Sequence, residues 1–554
     1  MKKGIIYILF AVSILTLGSC AKTGDIDDLQ DQLNELDGKL NQLEQDQQNN
    51  LLAEIAALQA QISSLIASNS GLTSDYEALL ASLTSLEEEI AAGETVYYGN
   101  VLTDDDFAMV FSEGATVITG NVVAKSQANV DALASVKMIG GNLELRGGNT
   151  VSLPALENVA VNLIIEGVND ADATVSLPML KTVGADTMIS DNNGVVSIDM
   201  PELILINGDL EFDTNKMLAS VSLAKLDLIV GSLEIYEMNP DTYENGNLVA
   251  LDLSSTDVNG DVMSSYLGEG SELLLGVVDG DFRGEGNGFA KIEILNATFD
   301  GSITIQSNPT LANISFPNMT VVNGDINVLY NVGGGFIGAG TSALTSLSCF
   351  DNLTEVGGNI DISGNMFPEL DAFNNVETVG GGSIRLNENG QEKTLVNVFN
   401  ALEGTGSYSS LNIEIVEKTE WFTGFAILPK ANNVALKIVR TQDANWNQGE
   451  VAKLEGFDLL TQAYMLDLDI ADATEVSAFP LLANLTKYGE YLRITMPNDT
   501  NVTLCSMSTY LTAVKNGDFD NQWSADVKAT FFDAWNWMEL DRTVAVDLLL
   551  LGCN

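Results

Sequence analysis

One phrase of the sequence recurs at a nearly constant interval, and this interval constrains the fold more than any other feature. Residues 138–159 read MIGGNLELRGGNTVSLPALENV, an alternating Asn-Leu-Glu-Leu segment between glycines, followed by Ser-Leu-Pro and a second apolar stretch. The residue before the proline, or its equivalent, falls at Leu153, Leu177, Met200, Leu223, Phe316, Phe350 and Phe373. Intervals among the first four are 24, 23 and 23 residues. The phrase is therefore a structural repeat.

A repeat of this length has a defined way to bury its apolar side chains. Leu143 and Leu145 alternate with Glu144, which places two apolar side chains on one face of a short strand. Glycine and asparagine at the corners permit tight bends with positive φ. Because one repeat cannot enclose its own apolar face, the repeats must stack and pair in parallel. We therefore predict a mainly β protein in which residues 93–500 form a parallel β-solenoid.

A different periodicity precedes the repeats. Over residues 25–92, apolar residues at intervals of three and four follow the a/d pattern of a coiled coil. The first run comprises Ile26, Leu29, Leu33, Leu36, Leu40 and Leu43. After a one-residue slip near Gln47 to Leu51, the pattern resumes at Ile55 and continues to Ile90 without a proline. We predict a long α-helical coiled-coil segment here.

Two arrangements satisfy this helical pattern. An uninterrupted helix would form a stalk and would need a partner strand, so it predicts a homo-oligomer. Alternatively, Ser68-Asn69-Ser70-Gly71 is a turn, and the segment folds back as an antiparallel hairpin within one chain. We expect the self-associating stalk. Under either arrangement the segment is a spacer and not a site.

The N-terminus has the features of a bacterial secretory signal. Lys2 and Lys3 precede an apolar segment that is too short to span a membrane. The sequence Leu17-Gly18-Ser19-Cys20 resembles the lipobox of bacterial lipoproteins, in which lipid is attached to the cysteine and cleavage occurs before it. We therefore predict a signal peptide at 1–19, lipid attachment at Cys20 and a tether at 20–24. Localisation in the cell envelope, as an outer-membrane lipoprotein exposed at the surface, follows from this prediction.

Charge and composition exclude several classes of function. The 24 Lys and Arg against 77 Asp and Glu give a formal net charge of −53, which repels nucleic-acid backbones and anionic lipid head groups. The chain contains no histidine, so His-based acid–base catalysis and His-ligated zinc or haem are excluded. We predict no nucleic-acid partner, and the membrane is reached only through the lipid anchor.

The repeats resemble a known family. VGGNIDISGN…FPELDAFNNVETVGG is similar to the repeats of receptor L domains and leucine-rich surface proteins. The entry segment YYGNVLTDDDFAMVFSEGATVITGNVVA resembles the first turns of such domains in Bacteroidetes-type lipoproteins, where a short helix caps the solenoid. The resemblance covers residues 96–500 and implies a solenoid that binds or displays, without transferring a site residue. Because we find no regular asparagine ladder in the sequence, we expect a β-helix-like cross-section rather than a horseshoe.

The C-terminal residues 501–554 are predicted to cap the solenoid. An uncovered last turn would present an open strand edge, and terminal caps protect such edges. In an exported protein, Cys505 and Cys553 either form a disulfide that closes this cap or remain two buried thiols. Cys349 is left over and is expected to be a buried repeat residue.

Other motifs have structural explanations. Gly333 to Gly338 matches the dinucleotide fingerprint but lacks a βαβ frame, so we expect a solenoid corner. Thr103 followed by three acids is typical of a helix start. Asp257 to Asp261 begins like an EF-hand loop, but its twelfth position is Gly268 instead of glutamate. We predict no catalytic residue, metal or cofactor, and we expect the five tryptophans, all after residue 420, to pack in the core.

These features together predict adhesion, or the binding of a protein or glycan ligand, along a rigid acidic surface. The alternative is a polysaccharide-acting β-helix enzyme of a glycan-utilisation system. A cleft lined by two facing carboxylates and exposed aromatic residues would favour the enzyme.

Overall fold

The computed structural model describes most of the chain. The described residues are 23–68, 80–91 except 82, 85, 86 and 89, 96–239, 244–332, 343–403, 411–418, 421–439, 453–469, 482–485, 487–496, 504–516, 528–533 and 538–553. They fall into two compact units, the first within residues 1–165 and 176–186 and the second within residues 166–175 and 187–554. None of the described helices is long and apolar enough to cross a membrane.

The first unit begins with helix α1, Thr23–Ser68. Helical residues between 80 and 91 pack against it in the antiparallel sense, because Gln48 Nε2 donates to Ile90 O at 2.6 Å while Gln59 Nε2 donates to a Glu87 oxygen at 3.2 Å. Leu51 and Ile55 of α1 are buried. The prediction of an uninterrupted coiled-coil stalk is therefore wrong. The apolar seam is covered by residues of the same chain, as in the hairpin alternative.

Two short helices follow α1 in the first unit, α2 (Asp104–Glu113) and α3 (Gln127–Ala132). Thr103 caps α2 through its side chain, which accepts from Asp106 N, while the Asp106 carboxylate accepts from Thr103 N at 3.1 Å. This reciprocal pair satisfies backbone donors that the first helical turn leaves open. The predicted helix start at Thr103 is confirmed.

Most solenoid turns contribute strands to two or three faces, which we call the short-strand sheet, the central sheet and the third sheet; the short strands and the third strands each pair in more than one series. In the first unit the short-strand sheet contains Val96–Tyr97, Val117–Ile118, Met138–Ile139, Asn158–Val159 and Thr182–Val183. The central sheet contains Val122–Ala124 and Leu143–Leu145, and the third sheet contains Thr150–Ser152. Leu163–Glu166 of the central sheet and Ala173–Ser176 of the third sheet contain residues of both units.

The second unit repeats this turn. Its central sheet pairs fourteen described strands in parallel: Thr187–Ser190, Leu210–Asp213, Leu233–Tyr236, Val262–Ser265, Phe282–Glu285, Ile303–Gln306, Ile326–Leu329, Ile360–Ser363, Ser383–Asn387, Asn412–Lys418, Lys430–Val439, Gln462–Asp469, Lys487–Met496 and Lys528–Asp533. The short strands are Leu205–Ile206, Leu228–Ile229, Asp257–Val258, Thr298–Phe299, Val321–Val322, Glu355–Val356 and Thr378–Val379. The strands of the third sheet are Val195–Asp199, Ser220–Ser222, Ala250–Leu253, Ser271–Leu275, Phe289–Ile294, Asn313–Ser315, Phe367–Ala372, Gly390–Val398, Trp421–Gly424 and Lys453–Leu454. The predicted parallel β-solenoid is confirmed.

Apolar residues of successive turns occupy equivalent buried positions, as the repeat predicted. Leu143 and Leu145 are buried while Glu144 between them is half-buried. The residues before the proline, or their equivalents, are all buried, namely Leu153 and Leu177 in the first unit and Met200, Leu223, Phe316, Phe350 and Phe373 in the second. In the second unit this position becomes an aromatic column, with ring centroids 4.9 Å apart for Phe350 and Phe373 and 5.2 Å apart for Phe373 and Phe399.

A buried polar ladder runs through the second unit beside the apolar core. Its rungs are Asn192, Asn215 and Glu237 in one run, and Asn287, Asn308, Asn331, Asn365, Asn389 and Glu417 in another. Each asparagine Oδ1 in the second run accepts from backbone or side-chain nitrogen of the preceding turn, as Asn331 Oδ1 does from Asn308 N at 3.0 Å. The expectation that the chain lacks an asparagine ladder is wrong.

The unequal lengths of the turns conceal this ladder in the sequence. The intervals between bonded rungs of the second run are 21, 23, 34, 24 and 28 residues. The residue before each ladder asparagine of this run has positive φ, although its type varies from Gly286 and Gly364 to Ser307, Tyr330 and Glu388, so the sequence does not reveal it. A left-handed residue turns the chain so that the next side chain points inward.

Each polar run ends in a glutamate. Both carboxylate oxygens of Glu237 accept from Asn215, at 2.9 Å from its backbone N and 2.7 Å from Nδ2, and Glu417 binds Asn389 in the same way at 2.8 Å. Burial raises the pKa of Glu237 to about 7, with the charge of Asp213 adding to the rise and the bonds from Asn215 opposing it.

Glycine at one corner of the turn has a steric cause. A Cβ on Gly324 would lie 2.4 Å from Gly301 O, and a Cβ on Gly358 would lie 2.5 Å from Gly324 O. At these two corners the neighbouring turn therefore approaches too closely for a larger residue. The next residue along the chain forms an exposed ladder, in which Asp281 Oδ1 accepts from Ser302 N at 2.7 Å and Asp325 Oδ1 accepts from Asn359 N at 2.6 Å.

The last described residues close the end of the second unit. Met538–Leu540 pairs in the antiparallel sense with Lys528–Asp533, which ends the parallel series. Helices α4 (Ser508–Asn516) and α5 (Arg542–Leu549) pack together, and Leu504 N donates to Leu549 O at 2.8 Å. The remaining elements are the 3-10 turns Ser348–Phe350 and Cys505–Met507 and an antiparallel pair, Met238–Asn239 with Glu244–Asn245.

Candidate functional site: the outer face of the central sheet

The outer face of the central sheet presents side chains of successive turns in strict register. Alternation along each strand buries two positions and turns the residue between them outward. In the second unit these residues form what we call the outward column: Glu211, Glu234, Met263, Arg283, Thr304, Asn327, Asp361, Arg385, Glu414, Ala435, Asp467 and Arg493. Neighbours in a parallel sheet lie roughly 4.8 Å apart, so the column is a fixed array of side chains.

Charges of opposite sign alternate over the last six positions of this column. Arg385 lies between Asp361, at 3.5 Å from Nη1, and Glu414, at 3.8 Å from Nε. Arg493 binds Asp467 through Nε at 2.8 Å and through Nη2. Ala435 occupies the position between Glu414 and Asp467. The order is therefore acid, base, acid, alanine, acid, base.

A depression opens at this alanine. It has a volume of about 260 Å³ and is lined by Glu414, Ile415, Val416, Asn433, Ala435, Leu436, Lys437, Asp467, Asp469 and Arg493. Lys437 Nζ lies 3.4 Å from Asp469 on the neighbouring strand, which places a second ion pair at the same depression. Because Ala435 projects only a methyl group between longer neighbours, its position forms the floor.

The part of the chain that carries this depression is richer in cationic residues than the rest. Nine of the 24 Lys and Arg residues fall within 385–493, against 15 of the 77 Asp and Glu residues. The depression is thus a mixed-charge site on a protein that is otherwise strongly acidic. Its groups can form charge-assisted hydrogen bonds with a polar ligand, while the rigid strands fix their spacing.

Exposed aromatic side chains of the second unit lie away from the depression. Tyr236 is 42% exposed, and its ring packs edge-on against Tyr266 with centroids 5.3 Å apart. Trp421 is on the third sheet and donates from Nε1 to Glu455 at 3.2 Å. Trp421 is 38% exposed, so the expectation of core packing is wrong for this tryptophan. The other four tryptophans lie outside the described residues.

Cys505 and Cys553 are joined by a disulfide across the C-terminal cap, with Cα atoms 5.3 Å apart. Cys349 is a free thiol of intermediate exposure, and burial raises its pKa, so the thiol is protonated. Cys20, the predicted lipid-attachment residue, lies outside the described residues, as do Gly333 to Gly338. Within the described part of the chain, no group of three or more Cys, Asp or Glu side chains is arranged to hold a metal ion.

Sequence reasoning did not identify the residues of the depression. Glu414, Asp467 and Arg493 are separated by insertions of different length, so their common column is visible only after the strands are paired. The available signal was the alternation VALKIV and YMLDLDI, which shows that Ala435 and Asp467 point outward but not that they are neighbours.

The sequence matches no protein-family model, and comparisons with curated proteins and with solved structures give no significant match.

Proposed function

We propose that the protein is a surface lipoprotein that binds a protein or glycan ligand on the outer face of its central sheet. The observation that carries this proposal is the depression at Ala435, where strands in register hold three carboxylates and two cationic side chains around a small residue. Such a fixed array of polar groups is preorganised, so binding a ligand there requires little ordering of the protein.

Anchoring at the cell envelope follows from the lipobox ending at Cys20. Lipid on this residue would hold the solenoid at the membrane. Protease treatment of intact cells should release fragments of the solenoid if it is exposed at the surface. Replacement of Cys20 by alanine should abolish incorporation of labelled palmitate, and incorporation that persists would exclude this residue as the acceptor.

Ligand binding can be tested on arrays of glycans and proteins with the purified ectodomain, residues 23–554. Our proposal predicts a specific ligand whose binding is weakened at least tenfold by the double variant Glu414→Gln/Asp467→Asn. Glu211→Gln/Glu234→Gln is the matched control, because it removes two carboxylates from the same column away from the depression. Equal loss with both variants would show non-specific charge attraction and would contradict the proposal.

One feature favours the alternative of a polysaccharide-acting enzyme. Glu414 and Asp467 line the same depression two strands apart, which corresponds to roughly 10 Å between their backbones. Glycosidases use such carboxylate pairs, but one member must be protonated to act as the general acid. Here Arg385 lies beside Glu414 and Arg493 binds Asp467, so each carboxylate stands in a polar, ion-paired site and not in the apolar pocket that a general acid needs. The pairing therefore supports binding over hydrolysis.

Reducing-sugar release from a panel of polysaccharides separates the two functions. A binding protein releases none. Release that disappears in Glu414→Gln would establish the enzyme and overturn the proposed function.

A further inference from the structure

The last six positions of the outward column contain one interruption in their alternation of charge. Each cationic residue in its last six positions lies beside a carboxylate, and Arg385 lies between two of them. By that pattern a cation should stand between Glu414 and Asp467, where the chain has Ala435. The depression opens at this position.

We infer that the depression at Ala435 receives an arginine side chain of a protein partner, whose guanidinium takes the place of the missing cation between Glu414 and Asp467. This inference rests on the proposed function and specifies its ligand. A planar guanidinium offers donors on several sides and can therefore bridge two carboxylates. Arg385 makes the same bridge within the chain, at 3.5 Å and 3.8 Å from its two acids.

The spacing of the strands agrees with this occupant. Glu414 and Asp467 are separated by two strand spacings, roughly 10 Å, and their side chains project from either side of the alanine. A guanidinium between the two carboxylates would lie about 2.8 Å from an oxygen of each. The depression, at about 260 Å³, has room for the head group and part of its stem.

Long-range charge favours a basic partner as well. A net charge of −53 attracts cationic proteins and raises the rate of encounter at low ionic strength. That attraction is unspecific, whereas the gap at Ala435 would select one side chain of the partner and fix its position.

The test uses the ectodomain and two labelled pentapeptides, Gly-Gly-Arg-Gly-Gly and the same sequence with the uncharged isostere citrulline. We expect the arginine peptide to bind at least tenfold more tightly than the citrulline peptide. Ala435→Arg, which fills the gap from within the chain, should weaken binding of the arginine peptide at least tenfold. Thr304→Arg adds the same charge to the same column between Arg283 and Asn327 and should change the affinity less than twofold.

Glu414→Gln/Asp467→Asn should abolish the preference for arginine, which tests the site without adding bulk. Thermal unfolding of every variant confirms that it folds. Equal effects of Ala435→Arg and Thr304→Arg would overturn the inference, since they would show attraction to the whole face. Binding of a glucosamine oligosaccharide in place of the arginine peptide would also overturn it, by identifying the cation as an amino sugar. A ligand found on the arrays could bind the variant Glu414→Gln/Asp467→Asn more weakly while the ectodomain shows no preference for the arginine peptide over the citrulline peptide. In that case the inference fails while the proposed function stands.

Discussion

At the scale of single residues, the polar ladder carries the strongest constraint in this protein. A buried amide must have partners, and the ladder gives each asparagine several within hydrogen-bond distance. Substitution of one rung therefore affects its own bonds and those of the turn before it.

We predict that Asn331→Ala lowers the free energy of unfolding by about 3 kcal/mol, because it removes the side-chain acceptor of Asn308 N and a donor to Ile305 O in the buried ladder. Chemical denaturation measures this change. Asn327→Ala is the control, since its half-buried side chain faces outward and donates only a long bond of 3.3 Å to Thr304; it should cost less than about 0.5 kcal/mol. Equal losses would show that the ladder adds no stability of its own.

Glu237 should make stability depend on pH. Its pKa is raised from 4.5 to about 7 in the folded protein, so the folded state binds a proton more tightly than the unfolded state does. The resulting stabilisation, about 3 kcal/mol, is fully present below pH 4.5 and is lost as the pH rises through 7.

The variant Glu237→Gln stays uncharged at every pH. Relative to the wild type, it should lack this decline between pH 4.5 and 7 when denaturation is followed across the range. Glu234→Gln, an exposed glutamate of the preceding strand, controls for net charge and should keep the wild-type slope. If stability changes with pH in the same way in the wild type and in Glu237→Gln, the raised pKa of Glu237 is not the cause of the decline.

At the scale of secondary-structure elements, the turns are held together by stacking of equivalent side chains. The column from Phe350 to Phe457 shows this most clearly, because consecutive rings contact each other from turn to turn.

The helices are stabilised differently. A heptad pattern specifies that a seam is buried but not which partner covers it, and α1 is covered by residues of its own chain.

Phe399→Ala should destabilise the protein by about 4 kcal/mol, because it opens a cavity between the rings of Phe373 and Phe425, whose centroids lie 5.2 and 5.3 Å away. Thermal or urea unfolding provides the measurement. Ile427→Ala, at a side chain that is 39% exposed in the following turn, is the control and should cost less than about 1 kcal/mol. A loss of less than about 1 kcal/mol in Phe399→Ala would show that the neighbouring rings move to fill the cavity.

At the scale of the whole molecule, a solenoid is stable only if the open strand edge of its last turn is covered. In the second unit the antiparallel strand Met538–Leu540 ends the parallel series. The disulfide between Cys505 and Cys553 joins the chain after helix α5 to the chain before helix α4. A loose cap would leave the edge of the last strands able to pair with another chain.

Replacing Cys505 and Cys553 with serine removes a cross-link across 48 residues and should lower stability by about 4 kcal/mol. We also expect concentration-dependent association, measured by light scattering, because the end of the sheet is less protected. Cys349→Ser is the control for loss of a thiol outside the cap and should remain monodisperse. If the double variant is as stable and as monodisperse as this control, the disulfide does not secure the cap.

The sequence by itself determined the repeat, the inward and outward positions of each strand and the helix start at Thr103, because these depend on local alternation, spacing and capping. It could not determine the asparagine ladder, the partner of helix α1 or the order of charges beside Ala435. Those features join residues 21 to 42 positions apart through insertions of unequal length, so only the pairing of the strands and the packing of the helices decide which side chains become neighbours.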